Sequence, residues 1–220
     1  MIKLRSHVTR PLFSFAQLVC LILFSGISLN TFASTDLKNS VGTSISGANI
    51  NLETNSLSIR YERNIFSLFN NYIRFAAGPR FNQFSRSNDF KVGSDFWRVE
   101  KVNVSSINVF GSVEIAFASR GSIIMNLDLI GASFGEELEL SNNSGQTDTA
   151  KPADQNVFLY GKNDRGTLNS EFFFQYMLTD SYKLRIGLSH QVIEYEADSI
   201  STDKLQRFYN LATIGLDFAF

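Results

Sequence analysis

A histidine, a nucleophile beside a base, or a metal-ligand cluster would give this chain chemistry to do, and its 220 residues are sparing with all three. Beyond the first ten residues, His190 is the only histidine, and it directly follows Ser189 with Glu194 and Glu196 close behind. Any Ser–His or histidine acid–base mechanism in the body of the chain must use it. Gly131-Ala132-Ser133-Phe134-Gly135 matches G-x-S-x-G. That pattern marks a nucleophile elbow only between a strand and a helix, and here Glu136-Glu137-Leu138-Glu139-Leu140 and a polar loop follow instead. His190, Ser189 and Ser133 are the candidate catalytic residues, and no motif joins them. One such histidine and no cysteine beyond Cys20 exclude the usual structural zinc site. Asp148, Asp154 and Asp164 are scattered acids that could hold calcium weakly but read as solvated. No phosphate-cradling glycine loop is present, so no cofactor or metal is expected.

The richer signal is alternation. In Ala212–Phe220 the residues Ala212, Ile214, Leu216, Phe218 and Phe220 share one face, and Thr213, Gly215 and Asp217 lie on the other. Period two means strand. The same pattern recurs in Leu57–Glu62, Tyr72–Ala77, Ile107–Phe117, Ser122–Gly131, Leu168–Leu178 and Tyr182–Val192. Most are near the ~10 residues that a tilted strand needs to cross a bilayer. Their second face carries Arg60, Arg74, Arg80, Lys183 and Arg185 against Glu62, Glu114, Asp128, Glu171 and Asp217, five cations to five anions. Balanced charges on one face read as a paired interior. The other reading is a polar ion path. On this register Ser133 and His190 both face outward with one strand between them, about 9–10 Å apart and out of contact.

The first residues read as an address. Lys3, Arg5 and Arg10 precede an uncharged run centred on Leu18–Phe24, and Thr31-Phe32-Ala33 offers a small-residue exit. This is the layout of a secretory signal peptide over residues 1–34, with a barrel domain over 35–220. Cleavage near Ser34 removes the only cysteine and three cations, leaving 17 Lys+Arg against 21 Asp+Glu, a net charge of −4. The near balance excludes the basic surface that nucleic acid requires.

Parity organises the strands. Both ends of an exported barrel lie on one side, so the count is even. Thr179-Asp180-Ser181, Ser119-Arg120-Gly121 and Asn64–Asn71 read as turns on the terminal side. About Ser85–Trp97 and Gly135–Thr167 read as long outer loops. Val41–Leu52 supplies a weakly patterned first strand, giving eight. Val157–Tyr160 looks like strand inside the longer loop, and either extends the wall or raises the count to ten. Pro79, after Gly78, calls for a bulge or a strand exit.

The ending resembles the C-terminal strand of bacterial outer-membrane β-barrel proteins. That resemblance implies that Ile214, Leu216, Phe218 and Phe220 form the signal read by the barrel assembly machinery. The architecture resembles the OmpA transmembrane domain and OmpX-like or OmpW-like proteins: an all-β antiparallel transmembrane barrel in the outer membrane, among lipid and lipopolysaccharide. Nothing follows Phe220, so no peptidoglycan-binding domain is expected. Three functions fit such a fold, which does not choose among them. The first is a non-enzymatic role in envelope integrity or surface recognition through the loops, with Phe90, Phe96 and Trp97 either meeting an extracellular ligand or joining an aromatic girdle. The second is a lipid A-modifying enzyme using His190. Lipid A deacylase barrels carry a His-x-Ser-Asn motif, and here the order is reversed and the Asn absent. The third is a narrow channel for small or hydrophobic solutes. N-terminal sequencing of the chain recovered from outer membranes is expected to begin near Thr35; a start at Met1 would remove the signal-peptide reading.

Overall fold

The computed structural model describes residues 39–48, 54–86, 90–92, 97–99, 101–141, 145, 147–160, 163–197 and 205–220. The proposed signal peptide lies outside them. Of the strands, β1 (Asn39–Gly47), β2 (Thr54–Leu68) and β3 (Ile73–Arg86) come first. Two short strands follow, β4 (Phe90–Val92) and β5 (Trp97–Val99). Then come β6 (Val102–Ala116) and β7 (Gly121–Gly135), and four more short ones: β8 (Leu138–Ser141), β9 (Thr147–Pro152), β10 (Gln155–Tyr160) and β11 (Asn163–Arg165). The chain ends with β12 (Leu168–Met177), β13 (Tyr182–Ala197) and β14 (Leu205–Ala219).

The eight longest pair in the ring β1-β2-β3-β6-β7-β12-β13-β14, and β14 returns to β1 along Ser40↔Ala219 to Gly47↔Ala212. All pairings are antiparallel, so this is a closed eight-stranded barrel without free edges around its girth. The count is eight because β10 joins the upper part of β7 and extends the wall.

Alternation sorts the two faces. Ile45, Ile59, Met125, Phe174, Ile186, Leu188, Ile214 and Phe218 are exposed on the outside. Ser44, Arg60, Asn126, Glu171, Arg185 and Asp217 are buried within. Large apolar side chains outside and charges within are the inverse of a water-soluble barrel and the pattern of one whose outer face meets hydrocarbon. Aromatic rings mark the turn end of this band: Phe66 stacks on Phe75 at 4.5 Å, and Tyr182 lies 5.3 Å from Phe218. At the other end His190 stacks on Phe208 at 5.8 Å.

Four details depart from the sequence reading. The first strand begins at Asn39 and ends at Gly47, and residues 49–53 lie outside the description. The stretch Asn64–Asn71 is not all turn: β2 continues to Leu68, and Phe69, Asn70 and Asn71 make the reversal with positive φ. Pro79 stays in register with Val109, so β3 neither bulges nor exits there. The irregularity sits lower, between Asn64 and Phe66. The fourth is a bulge in β7. Val109 pairs with Ile130 but Phe110 pairs with Asp128, leaving Leu129 as an extra residue. One inserted residue exchanges the faces of everything beyond it.

The band predicts a one-sided response to charge. Ile214→Lys, on the outer face near mid-strand, is expected to lower stability in bilayers by ~2–4 kcal/mol. Its neighbour on the inner face belongs to a different environment. Equilibrium refolding into lipid vesicles measures the loss, and an unchanged midpoint would place Ile214 away from lipid.

Candidate functional site

The interior is a stack of ion pairs. Just above the turn end, Arg74 meets Glu114 at 2.5 Å. Gln175 of β12 donates to the same Glu114 oxygen at 3.0 Å and to Ser122 at 3.0 Å. Lys183 and Glu62 line the same small cavity, about 20 Å³. That is room for about one water.

One layer up, Arg60 reaches Asp217 at 2.5 Å, and both are sealed from solvent. Arg185 also pairs with Asp217, and with Glu62 at 3.5 Å. The Arg60–Asp217 bridge spans three strands because the residue between them is Gly42, paired to Arg60 on β2 and Asp217 on β14. A Cβ on Gly42 would stand 1.9 Å from Asp217 Oδ1, so even a methyl group has no space. The Phe173 ring, fully buried, lies under both Arg60 and Arg185 at 5.9 Å.

The next layer centres on Arg80. Its guanidinium meets Asp128 at 2.5 Å and Glu171 at 2.6 Å, with all three side chains fully buried. Phe110 lies 5.2 Å below the guanidinium carbon. Asp128 Oδ2 accepts from Asn108 at 2.8 Å, from Asn82 at 3.2 Å and from the backbone N–H of Asn169 at 2.9 Å. That backbone contact falls where the β7–β12 ladder stops, at Leu127↔Ser170. Above it β7 takes β10 as partner through Ile130↔Val157 and Ala132↔Gln155. The gap between β7 and β12 is closed by side chains. Asn156, fully buried, accepts from Ser133 at 2.6 Å and from the Thr167 N–H at 2.7 Å, and donates to Asn108 at 2.8 Å.

The mouth is apolar, which the sequence reading missed. Strand β9 pairs with the top of β13, β8 with β9, and β5 with β8. Leu138, Leu140 and Ala150 from this flap pack against Phe84, Val104, Ile193, Tyr195 and Leu211 of the wall. Burial there pushes the Tyr195 phenol above its ordinary value. The alternation Leu138-Glu139-Leu140 is the signal for the flap, too short to stand out within the polar stretch Gly135–Thr167.

The ten charged residues singled out from the sequence therefore all lie in the interior, with Arg74 the most accessible of them. The catalytic candidates do not assemble. The β7 bulge turns Ser133 inward, correcting the outward placement. Ser189 also points in and donates to Asn169 at 2.7 Å. His190 points out, against Asn210 at 2.7 Å. A residue and its strand neighbour face opposite sides of a sheet, so Ser189 and His190 cannot pair. Among the described residues no group of three His, Cys, Asp or Glu is placed to hold a metal. Phe90 pairs with Val99 and Trp97 with Val92 in a short hairpin; Phe96 lies outside the described residues. Ile214, Leu216, Phe218 and Phe220 are exposed on the outer face of the last strand.

No family model and no curated protein matches this sequence. Among solved structures, the chain is similar to Neisserial surface protein A, at 13% identity over 83% of this chain and 95% of that one, with a TM-score of 0.43. It is also similar to Ail, the attachment invasion locus protein of Yersinia pestis, at 13% identity over 83% and 97%, with a TM-score of 0.41. The structure of Ail in a phospholipid nanodisc gives 11% identity over 84% and 99%, with a TM-score of 0.42.

The Arg80 layer sets an energetic expectation. Arg80→Met or Asp128→Leu alone strands a buried charge and is expected to remove ~3–5 kcal/mol. The double variant is expected to lose clearly less than the sum, because the two residues share one network. Urea unfolding in micelles measures this cycle, and additive losses would mean that the two do not act as a unit.

Proposed function

We propose that this chain is a non-enzymatic outer-membrane β-barrel protein with a closed lumen, serving envelope integrity or surface recognition through its outer loops. The observation that carries the reading is double closure: layered ion pairs inside the wall and an apolar flap packed into the mouth. An interior so filled offers solutes no continuous path. It does give the flap and loops a rigid base, the arrangement by which a scaffold presents a recognition surface. The separation of Ser189 and Ser133 from His190 supports the non-enzymatic reading over lipid A chemistry.

Export through residues 1–34, assembly through Ile214, Leu216, Phe218 and Phe220, and residence among outer-membrane lipid and lipopolysaccharide belong to the same proposal. The extracellular ligand would meet the surface built from residues 85–97 and 135–167, including Phe90, Phe96 and Trp97.

Two measurements test it. In planar bilayers the purified protein is expected to give no unitary conductance steps; steady steps would overturn the closed lumen. Lipid A from cells with and without the protein is expected to give the same mass spectrum. A change in acyl chains that vanishes in His190→Ala would replace this reading with an enzyme.

A further inference from the structure

The outer wall is not uniformly filled. At the turn end a groove of about 380 Å³ runs over the β7, β12 and β13 surfaces, lined by Phe117, Phe174, Tyr176, Leu184 and Ile186, with Arg120 of the β6–β7 turn among its residues. Part of its cause is in the sequence. The outward position of β7 that pairs with Tyr176 is Gly121, which brings no side chain. A Cβ there would meet the Phe117 ring at 2.9 Å, so the ring lies close across the glycine. Tyr176 pairs with Leu184, and Phe174 with Ile186, so these walls are held by ladder hydrogen bonds. The volume is within the range of small-molecule sites, roughly 300–1,000 Å³.

The groove has a direction. Its turn end carries Arg120, which is exposed and forms no ion pair with the described residues. Its other end, toward Phe174 and Ile186, lies in the apolar band. Cation first and hydrocarbon beyond is the order of an amphiphile standing in one leaflet. We propose that this groove holds one glycerophospholipid of the turn-side leaflet, its phosphate on Arg120 and an acyl chain along Tyr176, Phe174, Leu184 and Ile186. This rests on the membrane-barrel reading above. Burying a chain against protein rather than other lipid gains no hydrophobic free energy. Preference for this lipid over its neighbours therefore comes from rigid, pre-formed walls and from the phosphate contact.

The full chain in detergent micelles, mixed with phosphatidylglycerol or with a diacylglycerol of the same chains, is to be examined by native mass spectrometry. The wild type is expected to retain one phosphatidylglycerol and little diacylglycerol. Arg120→Gln is expected to lower that occupancy about fivefold, the size of one interfacial Arg–phosphate attraction. Leu184→Trp fills the groove with Arg120 intact and is expected to abolish retention. Equal retention of the two lipids, or retention that neither variant changes, overturns the proposal. Each sample is also run on SDS gels with and without boiling. A chain lacking the heat-dependent shift fails the barrel reading itself, whereas a heat-shifting wild type that holds no lipid fails this proposal alone.

Discussion

Asp128 sits where the wall of the barrel and its filling meet. Its carboxylate takes the Arg80 guanidinium on one side and two asparagine amides and a backbone N–H on the other. A buried carboxylate persists only when its charge is paired and its lone pairs are occupied. Here meeting that demand also seals the wall. The ladder between β7 and β12 ends at this residue, and the free N–H of Asn169 finds Asp128 rather than a strand partner. Asn156 then does the same work one step higher, between β7, β10 and the approach to β12. The barrel stays closed across a change of partners because polar side chains replace missing ladder bonds.

From this point the interior divides. Toward the turn end it is ionic, with arginines bridging acids from strands far apart in sequence, such as Arg60 to Asp217 and Arg80 to Glu171. Toward the mouth it becomes an ordinary apolar core built partly from the long loop. The two halves resist disruption differently. The ionic half is intolerant of losing a single partner, since the charge left behind has no water to turn to. The apolar half depends on packing of the flap against the wall.

Much of the architecture was legible in the sequence, because period two is enforced strand by strand. A side chain facing hydrocarbon must be apolar and one facing the filled lumen must be small or paired, so the register can be read locally. Seven of the eight wall strands announce themselves in this way, and β1 does so weakly, since its inward side is made of serine and glycine, Gly42 among them. The inward placement of Arg60, Glu171 and Asp217 follows from the same rule. Ser133 shows where the rule stops. The inserted Leu129 reverses the faces beyond it, and it is followed by a second exposed apolar residue, Ile130, so the local alternation does not say which of the two carries the register onward.

By itself the sequence determined the inner and outer faces of most strands and the five-to-five charge balance of the interior, because each rests on short-range alternation; the choice of eight strands over ten waited for the pairing of β10 with β7. Only the tertiary structure decided which acid meets which arginine, how β10 displaces β12 beside β7, and that Leu138 and Leu140 turn into the mouth. Those outcomes depend on pairings between residues up to 157 positions apart, as in Arg60 and Asp217. Alternation says which way a side chain points, but only the closed ring says what it meets there.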